Sequence, residues 1–160
     1  MSCCEKKTCE FHPVSAPDYL PPAQLKQLQL QRLQRIVRRA YDQVKLFRDR
    51  MKERNLTPDN ITSLADVAKM PFTVKTDLRD TYPFGLFASP MHDVVRLHAS
   101  SGTTGKPIVV AYTQDDVNVW AEVMVRTFAA CGLHQGDIIQ NSYGYGLFTG
   151  GLGLSLIHIS

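Results

Sequence analysis

Apolar residues recur three and four positions apart at Leu25, Leu28, Leu33, Ile36, Val37, Ala40, Tyr41, Val44, Phe47 and Met51, which predicts one long amphipathic helix or two consecutive ones over residues 23–53. Ahead of it, Pro13, Pro17, Pro21 and Pro22 predict an extended lead-in that keeps a helix from starting earlier. Beyond Asn55 the chain is expected to turn through residues 57–60 and to enter a short helix from Ser63, which Pro71 stops. Ser63 and Asp66 stand at capping-box spacing, and Thr73 is placed to cap a second short helix through Arg79. Residues 81–87, TYPFGLF, read as an aromatic turn whose Phe84 and Phe87 pack into the core.

The period then changes. Residues 93–99 and 108–112 are rich in β-branched and alternating positions, so they predict two strands joined as a hairpin with residues 100–107 at its tip. Arg96 and His98 alternate with Val95 and Leu97 and therefore share the opposite strand face. A lone strand histidine serves more often as hydrogen-bonded scaffolding than as a base or ligand. Thr113 and Asp116 form a second capping signal for a helix running to about Ala130 and closing at Gly132. Its buried stripe is Val117, Trp120, Met124 and Phe128, with Cys131 a buried residue at its end. Ile138 and Ile139 are expected to begin another strand. Strand, helix and strand in that order predict an α/β fold with an incomplete sheet behind a helical N-terminal region.

With 160 residues, 44% of them apolar, the chain has room for one domain and a real core. A net charge of +3 does not by itself call for a nucleic-acid or membrane partner. No stretch of ~18 apolar residues and no apolar signal region is present, so a cytoplasmic location is expected. One face of the 23–53 segment carries Arg32, Arg35, Arg38, Arg39, Lys45, Arg48 and Arg50. Such a basic helix can bind nucleic acid or an acidic membrane, but no aromatics are interleaved for base stacking, and a solvated face over a core stripe is the simpler expectation. Cys3, Cys4, Cys9 and His12 crowd the start, yet adjacent cysteines suit a tetrahedral metal site poorly; no metal is expected there.

The most chemically distinctive stretch is residues 100–107, SSGTTGKP. Gly102 and Gly105 let backbone amides approach an anion, Ser100, Ser101, Thr103 and Thr104 offer hydroxyl donors, and Lys106 adds positive charge with no acid nearby. The same composition also makes ordinary turns. It is not a Walker A loop, because two residues instead of four separate the glycines and Pro107 follows the lysine. Farther on, residues 144–153 hold half of the chain's ten glycines among Tyr145, Leu147 and Phe148, a composition that can bring backbone and rings against a flat apolar ligand.

The stretch SSGTTGKP resembles the signature loop of the adenylate-forming superfamily, and YPFGLF at 82–87, VRLHASS at 95–101 and GYGLFTGGLG at 144–153 narrow the resemblance to the phenylacetate-coenzyme A ligase family. It extends from about Leu25 to Gly153. The resemblance implies ATP-dependent activation of an aryl-acetic acid to an acyl-adenylate, then thioester formation with coenzyme A, with ATP, Mg2+ and coenzyme A taking part. It implies phosphate binding by Ser100, Ser101, Gly102, Thr103, Thr104, Gly105 and Lys106, and an acyl pocket at Tyr143, Tyr145 and Phe148. The family's catalytic lysine is expected beyond residue 160, so no catalytic residue is assigned, and the chain by itself is expected to be inactive. The implied division is a leader over 1–22, a helical region over 23–92 and the start of an AMP-binding α/β domain over 93–153. Residues 154–160 resemble translated adaptor sequence and are expected not to be native. A small-molecule carboxylate is the expected partner, with neither nucleic acid nor membrane. A related ligase for another aryl acid and a basic-helix binding module are the alternatives.

Overall fold

The computed structural model describes residues 13–99, 107–134 and 136–140. The signature stretch at 100–106, the glycine-rich segment with Tyr143, Tyr145 and Phe148, the cysteines of the N-terminus and residues 154–160 lie outside the described residues.

The predicted long helix is two helices, α1 (Pro22–Gln43) and α2 (Lys45–Glu53), broken at an extended Val44. Neither proline nor glycine makes the break. Val44 is buried, and the carbonyls that α1 leaves open are taken up by a side chain, since Arg48 donates from Nη1 to the oxygens of Tyr41 at 3.1 Å and Asp42 at 2.9 Å. The bend lets α2 fold beside α1 and bury Val37 and Met51 together with Ile61, against Leu33, Tyr41, Phe47, Leu56 and Met70. Ile36, counted in the apolar stripe, faces outward.

Pro13–Tyr19 forms a 3-10 helix where an extended lead-in was expected, because a φ fixed near −65° suits that helix as well as an extended chain. It packs beside the helix over Gln114–Ala130, with Asp18 paired to Arg126. Short 3-10 turns follow at Pro58–Asn60 and Leu64–Lys69, the second opened by Ser63, whose N–H donates to Asp66 Oδ2 at 2.8 Å. Next comes α3 (Lys75–Asp80), entered through Val74 and not Thr73. The Val74 N–H donates to Asp77 Oδ2 at 2.8 Å, so the acid in the first turn supplies the cap from inside. Phe84 is exposed and Phe87 half-buried, the two rings in tilted contact with centroids 5.1 Å apart and neither in the core.

β1 (Val94–Ala99) and β2 (Val109–Thr113) pair antiparallel, as the alternating pattern predicts. Leu97 faces Ala111, His98 faces Val110 and Ala99 faces Val109, with a bulge at Val95. β2 runs directly into α4 (Gln114–Ala130). The Thr113–Asp116 capping box is present in both directions, at 2.9 Å and 3.3 Å. At the far end, the Leu133 N–H donates to Phe128 O and that of Gly132 to Ala129 O, both at 3.0 Å, with φ +82° at Gly132. This double bond with glycine in the left-handed region is the Schellman closure. Cys131 is exposed, not buried, and Ile138 and Ile139 form no strand: Ile138 is 97% exposed, with no strand beside it among the described residues.

Candidate functional site

The described part of the candidate site is the stem of the hairpin. Ala99 and Val109 are paired, so the connection that contains residues 100–106 leaves from and returns to adjacent points of a fixed two-stranded ladder. One side of that ladder is closed by α4. His98 is 1% exposed; its ring meets Tyr112 edge-on at 5.2 Å between centroids and Trp120 of α4 at 5.7 Å, and Tyr112 lies 5.1 Å from Trp120. Burial, and secondarily the positive charge of Arg96, hold the His98 imidazole below its ordinary pKa, so it is neutral at pH 7. The polar face of β1 therefore points inward, while Val95 and Leu97 are 56% and 43% exposed.

The other side of the hairpin forms one wall of a cleft of about 320 Å³. Val109 and Ala111 of the hairpin, Ile36 and Arg39 of α1, Leu78 of α3 and Phe87 are among the residues that line it. Its volume suits a small ligand and its lining is mostly apolar. Gly85 stands in the turn beside it, where a Cβ would come 2.7 Å from Thr81 O. That close approach is why the aromatic turn needs glycine.

Much of the basic face of the helices is spent inside the chain. Arg50 makes a two-armed bond to Asp77 at 2.5 and 2.7 Å and donates to Phe72 O at 3.0 Å; Arg38 pairs with Asp59; Arg54 reaches the carbonyls of Lys69 and Met70. Asp77 is pulled below the usual carboxylate range first by Arg50 and then by the Val74 N–H. Asp66 is pulled lower still, by Lys69 at 2.6 Å and by the amides and hydroxyl around Ser63. Sequence reading missed these roles for Arg48, Arg50 and Arg54, because each bonds a backbone carbonyl or a carboxylate that only the tertiary fold brings near.

Among the described residues no three His, Cys, Asp or Glu side chains gather as a metal site, and no helix is long and apolar enough to cross a membrane.

No protein-family model matches the chain. Over 129 residues, 81% of its length, it is 59% identical to phenylacetate-coenzyme A ligase of Pseudomonas putida, and over 135 residues it is 53% identical to that of Thermus thermophilus. The chain spans 29% and 30% of those relatives' lengths. Among solved structures, 2-hydroxyisobutyryl-CoA ligase in complex with 2-HIB-AMP and CoA, in the thioesterification state, superposes with a TM-score of 0.79 at 28% identity. The match covers 86% of this chain and 30% of that one. A second structure of that ligase, in complex with 2-HIB-AMP, gives 0.75 over 92% of the chain. Over the residues it shares with them, the chain is 51–59% identical to four phenylacetate-coenzyme A ligases.

Proposed function

We propose that this chain is the phosphate-binding portion of an aryl-acetate:CoA ligase, AMP-forming, that works in phenylacetate catabolism. The observation that carries the reading is the paired Ala99–Val109 stem beneath SSGTTGKP, within a chain 51–59% identical to phenylacetate-coenzyme A ligases. A carboxylate oxygen attacks the α-phosphorus of Mg-ATP and pyrophosphate departs, giving the acyl-adenylate. The thiolate of coenzyme A then attacks the acyl carbon and AMP departs, giving the thioester. A free carboxylate is a poor electrophile, whereas AMP is a good leaving group. Ser100, Ser101, Gly102, Thr103, Thr104, Gly105 and Lys106 hold the β- and γ-phosphates and stabilise the charge that develops on them. Tyr143, Tyr145 and Phe148 line the acyl pocket. Mg2+ enters with the nucleotide as part of the substrate.

The division into a leader (1–22), a helical region (23–92), the start of an AMP-binding domain (93–153) and a non-native tail (154–160) belongs to the same reading, as does a cytoplasmic location. The internal bonds of Arg38, Arg48, Arg50 and Arg54 support a structural role for the basic helices over nucleic-acid or membrane binding.

The test is a chimera in which the matched residues replace the corresponding segment of the Pseudomonas putida enzyme. Lys106→Ala is expected to lower its ATP–pyrophosphate exchange by about 100-fold, the scale of losing one transition-state charge donor. Unchanged exchange in that variant would remove the loop from the mechanism.

A further inference from the structure

The cleft of about 320 Å³ has apolar walls from Ile36 of α1, Leu78 of α3, Phe87, and Val109 and Ala111 of β2. None of these is among the residues assigned above to phosphate or acyl binding. Its polar side chains divide into two groups. Thr81 Oγ1 donates to Asp77 O at 2.7 Å, and Thr113 and Asp116 bond each other in the cap of α4, so these three are already committed. Arg39 and Ser89 also line the cleft, and neither side chain takes part in a hydrogen bond or ion pair among the described residues. This sets Arg39 apart from Arg38, Arg48, Arg50 and Arg54, whose guanidinium groups are all bonded within the chain.

The two uncommitted groups can both donate: a guanidinium has only donors, and a hydroxyl supplies one. An apolar wall with a spare cation and a spare hydroxyl matches a ligand with an apolar body and one anionic acceptor. A carboxylate fits the guanidinium fork with two parallel bonds. A phosphate dianion fits less well, because one arginine faces it while Asp116 puts negative charge into the same wall. Phe87 offers a ring for a second ring to pack on. We propose that this cleft is a binding site for a small aryl monocarboxylate, its ring against Leu78, Phe87 and β2 and its carboxylate on Arg39, with Ser89 as a further donor. The site uses no residue of 100–106, so it stands or falls apart from the phosphate-loop reading.

The 160-residue chain is titrated with phenylacetate by calorimetry, with circular dichroism as the check on folding. Phenylacetamide, which keeps the ring and loses the charge, and acetate, which keeps the charge and loses the ring, are each expected to bind about tenfold more weakly or worse. Arg39→Gln is expected to weaken phenylacetate by about tenfold and to leave phenylacetamide within about twofold. Arg35→Gln makes the same change in net charge at an exposed position of α1 that is not among the lining residues, and is expected to leave phenylacetate within about twofold. Ala111→Phe fills the cleft and is expected to abolish binding of both ring compounds. If that variant does not fold, Ser89→Ala removes the second donor and is expected to weaken phenylacetate by about threefold. The same titration of the Pseudomonas putida chimera without ATP is expected to show an equivalent of phenylacetate that Arg39→Gln removes.

Wild-type affinity in folded Arg39→Gln, or an equal loss in Arg35→Gln, overturns the site. Binding that disappears in Phe148→Ala and persists in Arg39→Gln assigns the acid to the acyl pocket; it overturns this inference and leaves the ligase reading standing. A chimera with no Arg39-dependent equivalent shows the cleft covered by the remainder of a ligase, and overturns it as a ligand site. A chimera that exchanges no pyrophosphate yet keeps the Arg39-dependent equivalent overturns the ligase reading and supports this one.

Discussion

The helical region and the hairpin with α4 differ in what fills their centres. In the helical region Met51, Val37 and Ile61 form an apolar core, the buried Asp66 and Asp77 are held by bonded cations and amides, and Arg48, Arg50 and Arg54 tie α2 to neighbouring carbonyls and to Asp77. In the hairpin the fully buried side chain is His98, and Val95 and Leu97 of the same strand are exposed. Residues 108–112, IVVAY, form an unbroken apolar run, the composition of a strand covered on both sides. α4 covers one side of the hairpin, and the other is the wall of the cleft. The difference teaches that the helical region carries its own core, whereas the hairpin's exposed Val95 and Leu97 add little to the stability of the described fold.

The sharpest way to break that contrast is in the helical core. Met51→Ala is expected to cost about 3 kcal/mol in chemical denaturation, because it empties a fully buried position where α1 and α2 meet. A loss below about 1 kcal/mol would show that the helical region does not depend on this core. Gly85→Ala tests the turn beside the cleft: a Cβ placed 2.7 Å from Thr81 O and 2.8 Å from Thr81 Cβ is expected to cost about 1–3 kcal/mol.

Acid should separate the two regions. For His98 the folded pKa lies below the ordinary imidazole value, so the unfolded chain takes up the proton first and the hairpin loses stability as pH falls below about 6.5. Asp66 and Asp77 have depressed folded pKa values. Their stabilisation is complete above the unfolded carboxylate value and is lost only as pH falls through about 4 and lower. Trp120 emission is therefore expected to change at higher pH than the helical circular dichroism, and coincident transitions would argue that the two regions unfold as one. The smallest effect is expected on the outward face, where Leu97→Ser should change stability by less than about 0.5 kcal/mol.

The parts of the fold legible in the sequence are those where local rules and tertiary packing agree. The Thr113–Asp116 cap, the Gly132 closure and the Ser63–Asp66 turn follow from residues a few positions apart, and the two strands of the hairpin from their β-branched and alternating composition. What was not legible depends on distant partners. No local breaker announces the bend at Val44, which is stabilised by Arg48 reaching back six and seven residues. The entry of α3 at Val74 instead of Thr73 follows from Asp77, itself held by Arg50 from 27 positions away. Ile138 and Ile139 read as a strand by composition, but a strand exists only where another pairs with it. For the site, SSGTTGKP could be read for its chemistry from residue types alone. That the adjoining histidine would be a buried, three-sided packing element required the placement of Tyr112 and Trp120.

The central claim, that this chain supplies the phosphate-binding portion of an aryl-acetate:CoA ligase, is tested most directly by acid-dependent ATP–pyrophosphate exchange in the Pseudomonas putida chimera carrying residues of this chain. Exchange that appears on adding phenylacetate and is absent without a carboxylate is the predicted result. A folded chimera that exchanges no pyrophosphate in the presence of phenylacetate would contradict it.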